Sequence, residues 1–206
     1  NVMVGFCGTG GSPLFSVCDI AFMTPQSEYR PTEYMQAWAE MWFDPARRLE
    51  KARCFLRRRA QMTAECWQEN SYLQKLGIVL SDAVLERFHS DLEQAKDVQE
   101  LLLAEARWAK RLYADLARGH GFSFVREEGA RRSTSKADAC NGFLDHGNYI
   151  AYGYAAVALC GLGISFAMPI LHGKTRRGAL VFDLADVVKD GYVMPLAFEC
   201  AKEGET

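Results

Sequence analysis

Helical periodicity governs the chain from about residue 32 onward and sets the class of fold it can adopt. Asp44 followed by Pro45 is typical of an N-cap and a first-turn proline, and Ser81 is a second expected cap. Gly191 and Pro195 are expected to distort or split the last helix. The segment 118–136 is predicted to be a charged loop. We expect helices at about 32–43, from Asp44 onward, from Ser81 onward, and at about 91–118, 137–162 and 180–200.

The first 20 residues follow a different pattern. VMVGF and LFSVCDIAFM favour β-strands, and GTGGSP between them breaks the chain. We therefore expect a mainly α protein, in which a multi-helix domain is preceded by the remnant of a small β-domain. Residues 1–28 are assigned to the end of the β-domain and a linker, and residues 29–206 to the helical domain. The start NVMVGFCGTGG has no initiator methionine or signal segment, which indicates a chain entered internally.

The composition is that of an ordinary soluble globular protein. Of 206 residues, 49% are hydrophobic and 24% are charged, which is enough to bury a sizeable core. No apolar run reaches the ~20 residues that span a bilayer, so we expect no membrane association and a cytoplasmic protein. The seven cysteines are scattered, odd in number and without a C-x-x-C pair, which favours reduced thiols over disulfides or a zinc site.

Charge is distributed unevenly along the chain, although the formal net charge is only −2. The stretch 47–59 is strongly basic, and the stretch 82–105 is biased towards acidic residues. Such asymmetry allows one face to meet a polyanion. Arg57, Arg58 and Arg59 are the candidate DNA-binding residues of the basic run. The alternative, which is more common for helical charge runs, is a solvated face.

Glu105 lies on an apolar helical stripe. Leu101, Glu105, Trp108 and Leu112 share one face by steps of three and four residues. A carboxylate among apolar neighbours is costly unless a cation offsets its charge. The cation could be a metal ion, or the glutamate could form a buried pair with arginine or lysine.

A second candidate region is HGKTRRGALVFDLADVVKD, residues 172–190. Asp183 and Asp186 share a helix face, and Asp190 extends that face by one turn. Carboxylates converging with the imidazole of His172 form a mixed oxygen and nitrogen site that suits Mg²⁺ or Mn²⁺. The alternative is a solvated acidic face that pairs with Lys189.

Three cations follow His172 directly. A cationic cluster beside acidic metal ligands suits a phosphodiester substrate, since metal and cations share the phosphate charge. The alternative is a charged loop that neutralises itself. The cations are Lys174, Arg176 and Arg177.

A polar stripe runs along the helix predicted at 137–162. Asn141, Asp145, Asn148 and Tyr152 fall at helical steps, and Tyr149 flanks them. The stripe fits the wall of a cleft and, equally well, a hydrogen-bond network between helices. Asn148, Tyr149 and Tyr152 are included among the candidate DNA-binding residues.

Four segments carry a resemblance to a known family. QSEYRPTEYMQ (26–36), EARWAKRLY (105–113), FLDHGNYIAYGYAA (143–156) and the block 172–190 resemble the CRISPR-associated integrase family, the universal adaptation nuclease, and most closely its type I, subtype F branch. The resemblance implies that Glu105, His172 and Asp186 are the metal ligands and that Asp183 is a further acidic catalytic residue. By comparison with that family, we expect a sequence truncated at both ends, without most of the N-terminal β-domain and without the C-terminal extension.

The same resemblance implies a function in antiviral defence. It predicts a metal-dependent DNA endonuclease and integrase, whose helical catalytic domain inserts short DNA fragments into the CRISPR array. In this reaction a fragment's 3′-hydroxyl attacks a target phosphodiester. The implied cofactor is Mg²⁺ or Mn²⁺. The implied partners are DNA, a second copy in a homodimer, and a second CRISPR adaptation protein that subtype F fuses to a helicase-nuclease.

Two other functions remain open at this point. One is an unrelated metal-dependent phosphohydrolase, which would cleave small phosphate esters but not DNA. The other is a truncated relative that binds DNA or a partner without catalysis.

Overall fold

The computed structural model describes residues 2–7, 12–17, 20–23, 32–127, 129, 135–173 and 178–204. A three-stranded antiparallel sheet comes first, formed in this order by β1 (Val2–Cys7), β2 (Ser12–Val17) and β3 (Ile20–Met23). Val2 lies opposite Val17, and Leu14 lies opposite Met23. Helices make up most of the remainder, so the mainly α class is confirmed. The domain boundary predicted between residues 28 and 29 lies outside the described residues. The helices are α1 (Glu33–Phe43), α2 (Pro45–Glu69), α3 (Ser71–Lys75), α4 (Asp82–Gln94), α5 (Val98–His120), α6 (Lys136–Gly161), α7 (Ala179–Val188), a π-helical turn (Lys189–Val193) and α8 (Met194–Glu203).

Side-chain caps fix where several helices begin. Asp44 Oδ1 accepts hydrogen bonds from the backbone N–H groups of Ala46 (2.9 Å) and Arg47 (3.1 Å), as the sequence predicts for α2. Ser81 occupies the cap position of α4, but its side chain makes no capping hydrogen bond. Asn70 caps the short helix α3, which the sequence pattern did not predict.

The single helix predicted at 91–118 is wrong, because the chain breaks between α4 and α5. Asp97 caps α5 by accepting from the Glu100 N–H at 2.9 Å. Arg53 of α2 donates to the carbonyl oxygens of Leu92 (3.1 Å) and Ala95 (2.6 Å) and thereby satisfies the end of α4. The break therefore depends on one cap and one distant arginine.

The last helical segment is split, as Gly191 and Pro195 predict. A π-helical turn separates α7 from α8, and Trp67 of α2 donates its indole N–H to the carbonyl oxygen of Asp190 at 2.9 Å. Gly191 lies against α2, where an added Cβ would stand 3.0 Å from Cys66 Sγ. The wide turn therefore lies directly on α2, with Asp190 facing inward.

The hydrophobic core lies between α2, α5, α6, α7 and α8. Each fully buried leucine contributes about 1.5–3 kcal/mol relative to an exposed one, so this packing fixes the relative placement of the helices. Within the described part of the chain, no helix is both long and apolar enough to cross a membrane. The largest fully buried apolar side chains are Trp67, Phe198, Leu56, Leu73, Leu92, Leu101, Leu112, Leu116, Leu144 and Leu180.

Two glycines of α6 offer a matched test of this packing. A Cβ on Gly147 would lie 2.6 Å from Val193 Cγ1 of the π-helical turn, whereas a Cβ on Gly153 meets no atom within 4 Å. Because valine is stiff, Gly147→Ala is expected to lower the free energy of unfolding by about 1–3 kcal/mol. Gly153→Ala is expected to raise it by up to about 1 kcal/mol through helix propensity. Urea denaturation measures both, and equal effects would contradict the packing.

Candidate metal centre

Three residues from separate parts of the chain converge on one point. Glu105 comes from α5, His172 from the loop before α7, and Asp186 from α7. One ligand atom of each lies within 4.8 Å of the ligand atoms of the other two. Asp186 is buried and the other two are partly buried, so the cluster is largely shielded from solvent. Carboxylate oxygens and an imidazole nitrogen at this spacing could hold a metal ion.

Asp183 fixes the orientation of His172. Its Oδ2 accepts from the backbone N–H groups of Ile170 (2.6 Å) and Leu171 (3.1 Å), and its Oδ1 accepts from the His172 N–H (3.1 Å). His172 Nδ1 lies 2.5 Å from the same Oδ1, and this hydrogen bond raises the pKa of His172. With Nδ1 engaged, Nε2 is the nitrogen that faces the cluster. Asp183, expected as a further acidic catalytic residue, therefore holds the loop and acts through His172.

Glu105, which lies on the apolar stripe of α5, has a cationic partner on α2. Leu101, Trp108 and Leu112 are buried as predicted, and Arg59 Nη1 donates to Glu105 Oε1. The buried pair that the sequence left as an alternative is therefore present. Glu105 also belongs to the converging set, so its ion pair with Arg59 and a role as a metal ligand are compatible.

Arg59 is enclosed by carboxylates and is only 4% exposed. Its Nε donates to Asp190 Oδ2 at 2.6 Å, its Nη2 donates to Asp190 Oδ1 at 3.0 Å, and its Nη1 lies 3.9 Å from Asp186 Oδ2. Burial alone would lower the pKa of Arg59, but Asp190, Asp186 and Glu105 raise it well above its ordinary value. The prediction that Arg59 contacts DNA is wrong, because its guanidinium is buried and already bonded.

Lys189 is a site residue that the sequence pattern indicated only as a partner for a solvated acidic face. Its Nζ contacts Asp186 Oδ1, lies 3.4 Å from the Tyr152 hydroxyl, and stands 5.1 Å from the centre of the Tyr152 ring. Burial opposes ionisation of both partners, yet their attraction raises the pKa of Lys189 and lowers that of Asp186. The three-residue spacing from Asp186 was the signal in the sequence that could have identified it.

The charges of the cluster suit a divalent cation. Four carboxylates, those of Glu105, Asp183, Asp186 and Asp190, stand against two fixed cations, Arg59 and Lys189. With His172 neutral, as an imidazole ligand must be, two negative charges remain uncompensated among the residues that the structure describes. A metal ion of charge 2+ would balance them, so the residues fit such an ion.

Apart from Arg57 and Arg58 of α2, the remaining predicted DNA-binding residues fall into three groups. Lys174, Arg176 and Arg177 lie outside the described residues. Tyr149 is 75% exposed, and its ring meets the Tyr152 ring edge-on at 6.2 Å. The ring centre of Tyr152 lies 4.6 Å from that of Phe182, and the ring centre of Phe182 lies 6.5 Å from that of His172. These rings form an aromatic row that leads outward from the cluster. Asn148 is half-buried on the same helix.

The other half of the polar stripe forms a hydrogen-bond network. Arg126 donates to Asn141 Oδ1 at 3.0 Å and to Asp145 Oδ1 at 2.5 Å. Asn141 also accepts from the Glu127 N–H at 2.9 Å and donates to the Val125 carbonyl oxygen at 2.9 Å. Asn141 and Asp145 therefore fasten the segment after α5 to α6.

The basic run of α2 is largely neutralised within the molecule. Arg57 pairs with Glu50 at 3.0 Å and with Glu93 of α4 at 2.6 Å. Arg58 is about half exposed and stands 4.0 Å from Glu65. The acidic bias of α4 thus serves in part to compensate α2, which the two separate charge runs did not indicate.

Known proteins are similar to this chain in sequence and in fold. The sequence model described as "CRISPR associated protein Cas1" matches residues 18–206. The CRISPR-associated endonuclease Cas1 of Pseudomonas aeruginosa (strain UCBPP-PA14) is 46% identical over 214 residues, covering 100% of this chain and 65% of that protein. The chain thus spans about two thirds of that relative's length.

Two solved structures have a similar fold. The structure of a casposase bound to integration product aligns with a TM-score of 0.71 at 17% identity, covering 91% of this chain and 51% of that chain. A Cas1 protein from Thermotoga maritima aligns with a TM-score of 0.68 at 20% identity, covering 91% of this chain and 58% of that chain. At these identities, the likeness shows the fold alone.

The bonds of Asp183 predict a structural effect that needs no metal. In Asp183→Asn, an amide N–H₂ replaces one oxygen and faces backbone donors, so buried N–H groups lose their acceptor. We expect the free energy of unfolding to fall by about 2–3 kcal/mol, whereas exposed Asp82→Asn should change it by less than about 1 kcal/mol. Chemical denaturation in the presence of a chelator measures both. An unchanged stability of Asp183→Asn would refute its role in holding the loop.

Proposed function

The chain belongs to the Cas1 family, and from that premise we propose that its helical part is the catalytic core of a metal-dependent DNA endonuclease and integrase. The proposed reaction inserts short DNA fragments into a CRISPR array. The observation that carries the proposal is the convergence of Glu105, His172 and Asp186 beside two uncompensated negative charges. The 46% identity to a protein named CRISPR-associated endonuclease Cas1, over the whole of this chain, supports the same class of reaction.

The proposed cofactor is Mg²⁺ or Mn²⁺. Hard carboxylate oxygens suit both ions, and the imidazole of His172 makes Mn²⁺ the better match of the two. When bound, the ion would polarise the scissile phosphate and offset charge on the attacking or leaving oxygen.

The chain's own residues would hold the metal ligands in place for this reaction. Asp183 holds His172 with Nε2 towards the cluster, and Arg59 holds Glu105. Lys189 Nζ, which is paired with Asp186 Oδ1, holds that ligand carboxylate in place. In the transesterification, the 3′-hydroxyl loses its proton and its oxygen forms a bond to phosphorus. The bond from phosphorus to the leaving oxygen breaks and that oxygen takes up a proton, so one phosphodiester replaces another.

The outer face of α5 offers the DNA backbone a surface that the charge pattern of the sequence did not indicate. Arg107, Lys110, Arg111 and Arg118 share this face and are exposed. They span about 16 Å at a rise of ~1.5 Å per residue. Asp91 is shared by Arg87 and Arg107, and Asp115 by Arg111 and Arg118, so each acid orients two guanidinium groups and leaves surplus positive charge. We propose that this α5 cationic face binds DNA phosphates without reading sequence.

The finer assignments rest on the family resemblance. We propose a homodimer, a second CRISPR adaptation protein as partner, and membership of the type I, subtype F branch, in which that partner is fused to a helicase-nuclease. Aromatic residues Tyr149 and Tyr152 are proposed to contact DNA beside the site, together with Asn148. Lys174, Arg176 and Arg177 keep their predicted role as phosphate contacts.

Removal of a ligand is expected to abolish the chemistry. Glu105→Ala and His172→Ala should each lower Mn²⁺-dependent DNA cleavage by about two orders of magnitude or more, because the ion loses a ligand. His146→Ala, on the exposed side of α6, is the matched control and should retain full activity. Circular dichroism reports whether each variant folds. Undiminished cleavage by either ligand variant would refute the assignment, and cleavage of small phosphate esters but not DNA would favour a phosphohydrolase.

The α5 cationic face predicts a change in the salt dependence of DNA binding. Replacing Arg107, Lys110 and Arg111 by glutamine should weaken duplex binding and reduce the slope of log affinity against log salt by about one unit for each phosphate that the variant no longer neutralises. The control replaces Arg47 and Arg58 on α2, and we expect a smaller change in slope because α2 is largely neutralised. Fluorescence anisotropy at several salt concentrations measures both. A larger effect in the α2 variant would contradict the assignment.

A further inference from the structure

Asp190 is a buried carboxylate to which the proposed reaction gives no role. It lies in the π-helical turn and is 0% exposed. Its Oδ2 accepts from Trp108 Nε1 at 2.8 Å and from Arg59 Nε at 2.6 Å, and its Oδ1 accepts from Arg59 Nη2 at 3.0 Å. The sequence pattern predicts Asp190 as an extension of the acidic face, but its side chain points into the protein.

The bidentate pair decides how Arg59 meets the metal ligands. With Nε and Nη2 bonded to Asp190, only Nη1 reaches Glu105, and it stops 3.9 Å from Asp186. A guanidinium released from Asp190 would be drawn onto both ligand carboxylates, since they are the other acids facing it. It would then compete with a metal ion for the same oxygens.

We infer that Asp190 is a positioning residue: it limits Arg59 to a single contact with Glu105, through Nη1, and holds the guanidinium away from Asp186. The other oxygen of Glu105 and the carboxylate of Asp186 thereby stay available to a divalent cation. This inference rests on the metal site of the proposed function. Loss of the Asp190 charge would also halve the uncompensated negative charge of the cluster, from two to one. Both effects lower affinity for the ion.

The two buried tryptophans supply a matched pair. Trp108 Nε1 donates to the carboxylate of Asp190, whereas Trp67 Nε1 donates to its backbone carbonyl oxygen at 2.9 Å. Both side chains are buried in the core, at 3% and 1% exposure. Replacement of either by phenylalanine removes one hydrogen bond to Asp190, but only the Trp108 bond steadies the carboxylate.

The test is Mn²⁺ binding in the absence of DNA, measured by the electron paramagnetic resonance signal of free Mn²⁺. In Asp190→Asn, the half-saturating Mn²⁺ concentration is expected to rise about 10–100-fold, the range typical of residues that support metal ligands. Trp108→Phe should raise it by a smaller factor, and Trp67→Phe should leave it unchanged. The double variant Asp190→Asn with Arg59→Gln removes both charges and should recover to within a few-fold of wild type.

Each outcome decides a separate point. Unchanged Mn²⁺ affinity in Asp190→Asn would overturn the inference, as would equal shifts in the two tryptophan variants, which would indicate a general packing effect. If Asp190→Asn does not fold, the Trp108 and Trp67 comparison decides alone. Wild-type protein that binds no Mn²⁺ would overturn the proposed metal site itself. Wild-type binding together with an unaffected Asp190→Asn would remove only the role of Asp190.

Discussion

The buried ion cluster around Arg59 is the constraint on which the rest of the site depends. One guanidinium on α2 meets Glu105 of α5, Asp186 of α7 and Asp190 of the π-helical turn. Removing such charges from water is costly, so the cluster persists only because each group has a partner and a hydrogen bond. The cluster fixes the relative positions of α2, α5 and the consecutive α7 and π-helical turn, which are three regions distant in sequence. The surplus negative charge that remains is what makes the point suitable for a divalent cation.

Two supports keep the ligands in place from opposite sides. Asp183 fixes His172 by bonding its ring and three consecutive backbone N–H groups, and the Arg59–Asp190 pair fixes Glu105. Lys189 holds Asp186 and faces the aromatic row that leads outward. The π-helical turn matters because it turns Asp190 inward towards Arg59, and Gly191 allows that turn to lie close to α2.

Much of this could be predicted from the sequence, for physical reasons that differ by residue. Asp44 with Pro45 predicted the start of α2, and Gly191 with Pro195 predicted the split of the last helix, because both effects are local. Glu105 could be placed on an apolar stripe, but periodicity cannot predict which cation offsets its charge. The break between α4 and α5 escaped prediction because a distant arginine, Arg53, completes it. The pairing of Arg57 in the basic run of α2 could not be predicted for the same reason, since one of its acidic partners, Glu93, belongs to another helix.

The central claim is that Glu105, His172 and Asp186 bind one divalent metal ion. The most direct measurement is a crystal structure of Mn²⁺-soaked protein, with anomalous diffraction recorded at the manganese edge. The account predicts one anomalous peak that lies about 2.0–2.3 Å from a carboxylate oxygen of Glu105, a carboxylate oxygen of Asp186 and Nε2 of His172, with Arg59 still bonded to Asp190. A peak coordinated by other residues, or no peak at this cluster in a saturating soak, would contradict it.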